Sequence, residues 1–304
     1  MYVHPIEQYR RTVQTRSGEV SVIDAGQGRT AFFVHGVGTN ALLWRNVMQH
    51  LQAERRCVAV DLPLHGHTAA RVDQDFSLGA LAEFIHGVCD ALGLDQVDLV
   101  ANDTGGAIAQ IFAARNPQRL ASLVLTNCET HDNVPPPALK ASVRLARIGL
   151  LTPLARLAAR FPRLGRRAVF ASGYEHPERL SDELVRAYLQ PTAGTPLAAK
   201  QFTRWVASAN PHDLLAAEPQ LRQLRVPTLV VWGTGDVFFD LRWAYWLRET
   251  IPGVTEVVEF EGARLFFPDE RADDLVVQLR RHWAYPAARA AGSVARSSAA
   301  TVSA

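Results

Sequence analysis

The stretch "LVANDTGGAIAQ", residues 99–110, passes from a short apolar run through an abrupt turn into a series of small residues. The apolar run reads as the end of a strand and the small residues as the start of a helix, with Asp103 at the bend. A tight strand-to-helix turn of this kind projects its central side chain away from the backbone, where it can act as a nucleophile. Small residues are needed two before and two after the centre, and Ala101 and Gly105 satisfy that need, with Gly106 beyond.

The surroundings supply the strands and helices such a turn belongs to. "EVSVIDAG" alternates at period two, while "TAFFVHG", "CVAVDLP" and "LASLVLTNC" are short continuous apolar runs, as expected of strands covered on both faces. In "SLGALAEFIHGVCDAL", Leu78, Leu81, Ile85, Val88 and Leu92 fall on one helical face, with Ser77 placed as the N-cap. This alternation predicts an α/β fold with a mostly parallel sheet and helices on both faces. From about His131 to Leu224 the strand signals stop. "PPP" at 135–137 is followed by Arg/Ala/Leu-rich helical stretches broken by prolines. Strand character returns in "VPTLVVWG" and "VTEVVEFEG", and a last helix carries Leu275, Val276 and Leu279. The expected division is a core over residues 1–131, a helical insertion over 132–224, a second core segment over 225–285 and a disordered tail over 286–304.

Composition narrows the class. With 304 residues, 48% hydrophobic and 20% charged, the chain has the balance of a soluble globular protein large enough to need no disulfide or metal. A net charge of +2 argues against nucleic acid as a partner. Cys57, Cys89 and Cys128 are widely spaced and read as buried free thiols. The N-terminal "MYVHPIEQYRR" lacks the apolar core of a signal peptide, and no apolar run approaches membrane-spanning length. A cytoplasmic protein with no membrane partner is therefore expected. No His/Cys cluster or Gly-rich phosphate loop is present, so neither metal nor organic cofactor is expected. The oligomeric state is not legible.

Three further features join the bend at Asp103. "FFVHGVGTN" puts His35 and Gly36 at the end of an upstream strand, "DLPLHGHT" follows the next one, and "VVWGTGD" puts Asp236 at the end of a late strand. On these motifs the chain resembles the α/β-hydrolase superfamily over roughly residues 15–285, with the helical insertion, placed after the sixth strand, matching its cap. An Asp at the elbow followed by Gly-Gly is most similar to the haloalkane dehalogenase and epoxide hydrolase branch. The resemblance implies Asp103 as nucleophile and Asp236 as the acid that orients a histidine. It also implies oxyanion donors from the backbone N–H groups of Val37 and Thr104, with His35 and Gly36 in the oxyanion loop. Tyr174 or Tyr188 would take the place of the cap tyrosines that activate an epoxide.

The sequence departs from that pattern in one place that matters chemically. The stretch that would carry the histidine is "EGARLFFPDER", and the matching position is Leu265; no histidine lies between His212 and His282. The halide-gripping side chains of dehalogenases are also missing, since Thr104 follows the nucleophile and Val37 follows His35-Gly36. His131, in "LTNCETHDN" at the end of the neighbouring strand with Asn127 and Glu129 close by, is the replacement base to test. His35, His65 and His67 fit structural roles, and His176 lies in the cap with no evident partner.

Three activities stay open on this reading. One is hydrolysis of a small, largely apolar molecule with Asp103 as nucleophile. A second is a non-hydrolytic reaction with Asp103 as general acid or base, its pKa raised in an apolar cavity. The third is binding of a small molecule without turnover. The arginine-rich cap composition implies a partly apolar pocket with cationic rims.

Overall fold

The computed structural model describes residues 4–284; the tail expected over 286–304 lies outside them. Among the described residues eight strands form one sheet. They are β1 (Arg10–Thr15), β2 (Gly18–Ala25), β3 (Thr30–Val34), β4 (Arg56–Val60), β5 (Val97–Asp103), β6 (Leu120–Cys128), β7 (Thr228–Gly233) and β8 (Val254–Phe260). Their spatial order is β1-β2-β4-β3-β5-β6-β7-β8. β2 runs antiparallel to both β1 and β4, and every other pairing is parallel.

Burial follows position in the sheet. Every residue of β3, β5 and β7 is buried, which is why these strands read as unbroken apolar runs. The edge strands β1 and β8 keep exposed positions. Chain order reverses across β3, with β4 on one side and β5 on the other. In an open parallel sheet the carboxyl ends of strands at such a reversal flank a crevice that binds ligands.

The helices are α1 (Arg45–Leu51), α2 (Leu78–Ala91), α3 (Thr104–Arg115), α4 (Lys140–Arg147), α5 (Leu151–Arg160), α6 (Pro162–Gly165), α7 (Asp182–Ala193), α8 (Pro196–Ser208), α9 (His212–Leu221), α10 (Arg242–Thr250), α11 (Phe267–Glu270) and α12 (272–284). The Ser77 side chain caps α2 by accepting from the Ala80 N–H at 3.3 Å, and Leu78, Leu81, Ile85 and Val88 are buried. α3 is buried from Thr104 to Ala113 because the sheet, α2 and α9 surround it. Between β6 and β7 the chain is helical. α4, α5, α7 and α8 pack on one another, whereas α9 returns to α3, and its Asp213 accepts the Gly79 N–H of α2 at 2.8 Å.

Cys57, Cys89 and Cys128 are buried and free. Burial pushes the Cys57 and Cys89 thiols up to about 12, so they are inert as nucleophiles. No helix among the described residues is long and apolar enough to cross a membrane.

Candidate active site

The turn at Asp103 has the strained geometry its sequence demands. Asp103 ends β5 with φ 58° and ψ −136°, a left-handed φ that a residue with a Cβ rarely adopts. Neighbouring glycines make the room. A Cβ on Gly36 would lie 2.1 Å from Asp103 Oδ2, one on Gly105 2.5 Å from the His35 carbonyl oxygen, and one on Gly106 2.3 Å from Cys128 Cβ. Gly36 and Gly105 are therefore two sides of one close approach between the β3 loop and the Asp103 turn, while Gly106 lets α3 pass close to the end of β6.

Asp103 is only 6% exposed, and its carboxyl accepts the backbone N–H groups of Val37 and Thr104. These are the two donors expected for an oxyanion. Holding a carboxyl against them orients it and leaves it one face toward the cavity.

A second acid stands beside it. The register pairs Asp103 with Cys128, so Glu129 leaves β6 one residue beyond. Thr104 Oγ1 donates to Glu129 Oε1 at 2.8 Å, and Gln110 Nε2 donates to the Glu129 carbonyl at 2.8 Å. Glu129 Oε2 is buried without a partner, and the residue lines the same cavity as Asp103. Burial lifts Glu129 to about 7, and burial together with the charges of Glu129 and Asp236 lifts Asp103 well above the ordinary carboxylate range. The sequence reading noted Glu129 only as a neighbour of His131. The usable signal was an acid directly after an apolar strand, next to the strand that carries the elbow.

Asp236 lies in the loop after β7, fully engaged by donors other than imidazole. Asn127 Nδ2 donates to its Oδ2 at 2.7 Å and the Phe238 N–H to its Oδ1 at 2.8 Å. Burial raises it to about 6.

Leu265, at the position where the sequence resemblance leads one to expect histidine, is buried and lines the cavity with Phe266. Its carbonyl accepts Asn102 Nδ2 at 3.0 Å, which ties the loop after β8 to the residue preceding Asp103. The Phe266 N–H donates to the Gly173 carbonyl at 2.8 Å, and the Phe266 ring packs 5.0 Å from Tyr174. Aliphatic and aromatic side chains thus line the cavity that Asp103 also lines.

The cavity measures about 510 Å³, the size of a small-molecule site. Its walls are chiefly apolar, drawn from α4, α5, α8, Val37, Phe238 and Leu265. No Lys, Arg or His is among the residues that line it, so the cap arginines stay out of the cavity itself.

Other expected participants are placed apart from Asp103. His131 has φ 54° and turns its ring toward α9 and α10. Its Nδ1 lies 2.8 Å from Glu218 Oε2 and its ring 4.9 Å from that of Trp246, and it does not line the cavity. His35 is fully buried; its Nε2 accepts the Leu62 N–H at 3.0 Å, its Nδ1 lies 2.7 Å from the Gly36 carbonyl, and burial lowers it to about 4. It is a neutral brace for the oxyanion loop. His65 accepts the Gly38 N–H at 3.2 Å in a similar way. His67 donates its backbone N–H to Asp61 at 2.9 Å, and exposed His176 pairs with Glu178 at 3.1 Å. Tyr174 and Tyr188 are buried outside the cavity lining. Tyr174 donates to Asp269 at 3.2 Å, and Asp269 is ion-paired with Arg45 at 2.8 Å.

The fold has counterparts. The model of the α/β hydrolase fold family matches residues 32–271. A 2-hydroxy-6-oxononadienedioate/2-hydroxy-6-oxononatrienedioate hydrolase of Paraburkholderia xenovorans is 32% identical over 242 residues, 75% of this chain and 79% of that protein. A haloalkane dehalogenase of Mesorhizobium japonicum is 35% identical over 115 residues, covering 38% of this chain and 37% of its own. Among solved structures, an epoxide hydrolase superposes with a TM-score of 0.77 at 20% identity, over 90% of this chain and 98% of that one. Strand order, the bend at Asp103 and these matches lead to one conclusion: the chain belongs to the α/β-hydrolase fold family.

Proposed function

We propose that the protein hydrolyses a small, neutral, largely apolar molecule bearing an electrophilic carbon, with Asp103 as nucleophile and Glu129 in the proton-carrying role that imidazole fills elsewhere. The observation that carries this reading is the pairing of a strained, oxyanion-anchored Asp103 with an unpartnered Glu129 carboxyl oxygen in one cavity. The substrate class follows from the walls. Apolar lining favours apolar ligands, and two carboxyls without a cation disfavour anions.

In the first step a carboxylate oxygen of Asp103 forms a bond to the substrate carbon while the leaving group departs with its electron pair. In the second, water attacks the carbonyl carbon of the resulting aspartyl ester and gives its proton to the Glu129 carboxylate. The N–H groups of Val37 and Thr104 hold the oxyanion that forms. Collapse returns the proton to the departing alkoxide, and the alcohol leaves. Both acids must be ionised to begin, so the rate rises with pH as the two lifted carboxyls lose their protons.

A second reading rests on the same upward shift of Asp103. Held protonated, it serves as a general acid in a reaction that forms no ester. Turnover in ¹⁸O-labelled water, with terminal haloalkanes and epoxides as substrates, separates the two. The nucleophilic route places label in the Asp103 carboxyl, read in the peptide spanning residues 99–110, and rises with pH. Product formed without label in Asp103, at a rate that falls with pH, overturns it in favour of the acid.

A further inference from the structure

Residues 133–174 hold eight lysines and arginines and no acid. The same segment, α4 to α6 with its flanks, is unusually greasy on its outside. Half of the large hydrophobic side chains exposed among the described residues fall between positions 148 and 169, seven of fourteen. Ile148 and Leu150 form the tip of the α4–α5 turn at 68% and 53% exposure. Leu154, Leu157 and Phe161 follow at helical spacing on the outer side of α5, while Ala158 and Ala159 bury its inner side. Lys140, Arg144, Arg147, Arg160, Arg163 and Arg167 are exposed among them. Of the eight cations Arg166 alone is in a salt bridge among the described residues, with Asp182.

We propose that this face docks on an anionic bilayer surface, with the side chains from Ile148 to Leu164 entering the acyl boundary and the guanidinium groups meeting headgroup phosphates. A basic segment with a contiguous apolar stripe is the pattern of a helix lying in the membrane interface. Anionic lipid contributes about fivefold in affinity for each Lys or Arg brought to the surface. A second copy of the chain fits poorly, since a two-fold interface would set this basic face against itself. A nucleic acid would leave the apolar stripe in water.

Two details of the surface agree with a phosphate-bearing partner. A cleft of about 490 Å³ on this side of the cap is lined by Pro153, Arg156, Leu157, Arg160, Gln190 and Gly194. Within its wall, Arg156 Nη1 is buried and has no hydrogen-bond partner. The face is also continuous with the substrate cavity. Leu154 and Val169 line that cavity while 50% and 37% exposed, so an apolar molecule dissolved in the bilayer meets the entrance directly.

The test is flotation of the full chain with vesicles of phosphatidylcholine alone and of phosphatidylcholine with phosphatidylglycerol, three to one, at low and high salt. Binding to the anionic vesicles is expected to exceed binding to the neutral ones by at least tenfold and to weaken with salt. The triple variant Arg144→Glu/Arg147→Glu/Arg160→Glu and, separately, Leu157→Ser/Phe161→Ser are each expected to lose it, with circular dichroism reporting that both remain folded. Inorganic phosphate at the same salt concentration should compete no better than chloride. Failure of the folded parent chain to bind anionic vesicles at low salt overturns the proposal. So does binding that both variants retain, or a face that instead drives dimerisation or captures an oligonucleotide. Vesicle binding needs no turnover, so its outcome is independent of the catalytic reading.

Discussion

The hydroxyl of Thr104 donates to Glu129 Oε1 at 2.8 Å, joining the residue after the strained elbow to the acid at the end of the next strand. That bond fixes one oxygen of Glu129 and leaves the other, Oε2, buried and unpartnered. Because the Thr104 N–H also holds the Asp103 carboxyl, one residue positions both acids. The pair occupies a cavity that Leu265, where the sequence resemblance leads one to expect histidine, also lines.

Removing Glu129's proton chemistry should stall the second step. Glu129→Gln is expected to slow ester breakdown by about 10²–10⁴-fold while leaving the first step intact. An aspartyl adduct on the 99–110 peptide should then accumulate, visible by intact mass. His131→Ala should leave turnover unchanged, since that ring is engaged with Glu218 and Trp246, and cost about 0–1 kcal/mol in stability.

Leu265→His should place a base in the cavity that Asp103 lines. The hydrogen bond from Asn102 goes to the main-chain carbonyl at 265 and survives the change. Neutral imidazole there accepts the proton of the attacking water, so in a Glu129→Gln background product release in single-turnover kinetics is expected to rise by about 10²–10⁴-fold. No gain in a folded variant of that background would mean that proton transfer to a base does not limit ester breakdown.

Stability should fall as pH rises through the neutral range. Glu129 is lifted from 4.5 to about 7 and Asp236 from 3.8 to about 6, so the folded chain keeps protons that the unfolded chain has released. Stabilisation is complete below about 4 and is lost as pH climbs through the folded values. The Tm should therefore drop between pH 5 and pH 8, and Glu129→Gln should flatten that slope. A Tm that rises over this interval would contradict the burial of these acids.

Gly36→Ala places a Cβ 2.1 Å from Asp103 Oδ2 and 2.4 Å from its Cβ. The expected cost in a denaturant titration is about 1–3 kcal/mol, with loss of activity. In an Asp103→Gly background the same change should cost far less, because both the clashing side chain and the strain at φ 58° are gone.

Tyr174→Phe separates a structural tyrosine from one that activates substrate. The hydroxyl donates to Asp269 and lies outside the cavity lining. Stability should fall by about 1–3 kcal/mol as a buried acceptor loses its donor, with kcat unchanged on any substrate, an epoxide included.

Local chemistry made the elbow readable. A bend that forces a left-handed φ on Asp103 and brings backbones into contact admits only small residues around it, and that demand is written within a few positions of the chain. The same holds for the buried strands, whose two covered faces require unbroken apolar runs, and for the Ser77 cap of α2. The absence of histidine at position 265 was equally plain. What replaces it was not. Whether Glu129 or His131 faces Asp103 depends on how β6 leaves the sheet and on where α9, a helix 87 residues beyond His131 at Glu218, comes to rest. The absence of cations from the cavity lining has the same origin. Cap arginines and leucines are intermixed along the chain, and only the packing of α4, α5, α7 and α8 decides which leucines line the cavity and which stay outside with the arginines. Short-range steric rules act on neighbours in sequence, whereas the direction of a side chain is settled by contacts between segments that the sequence keeps far apart.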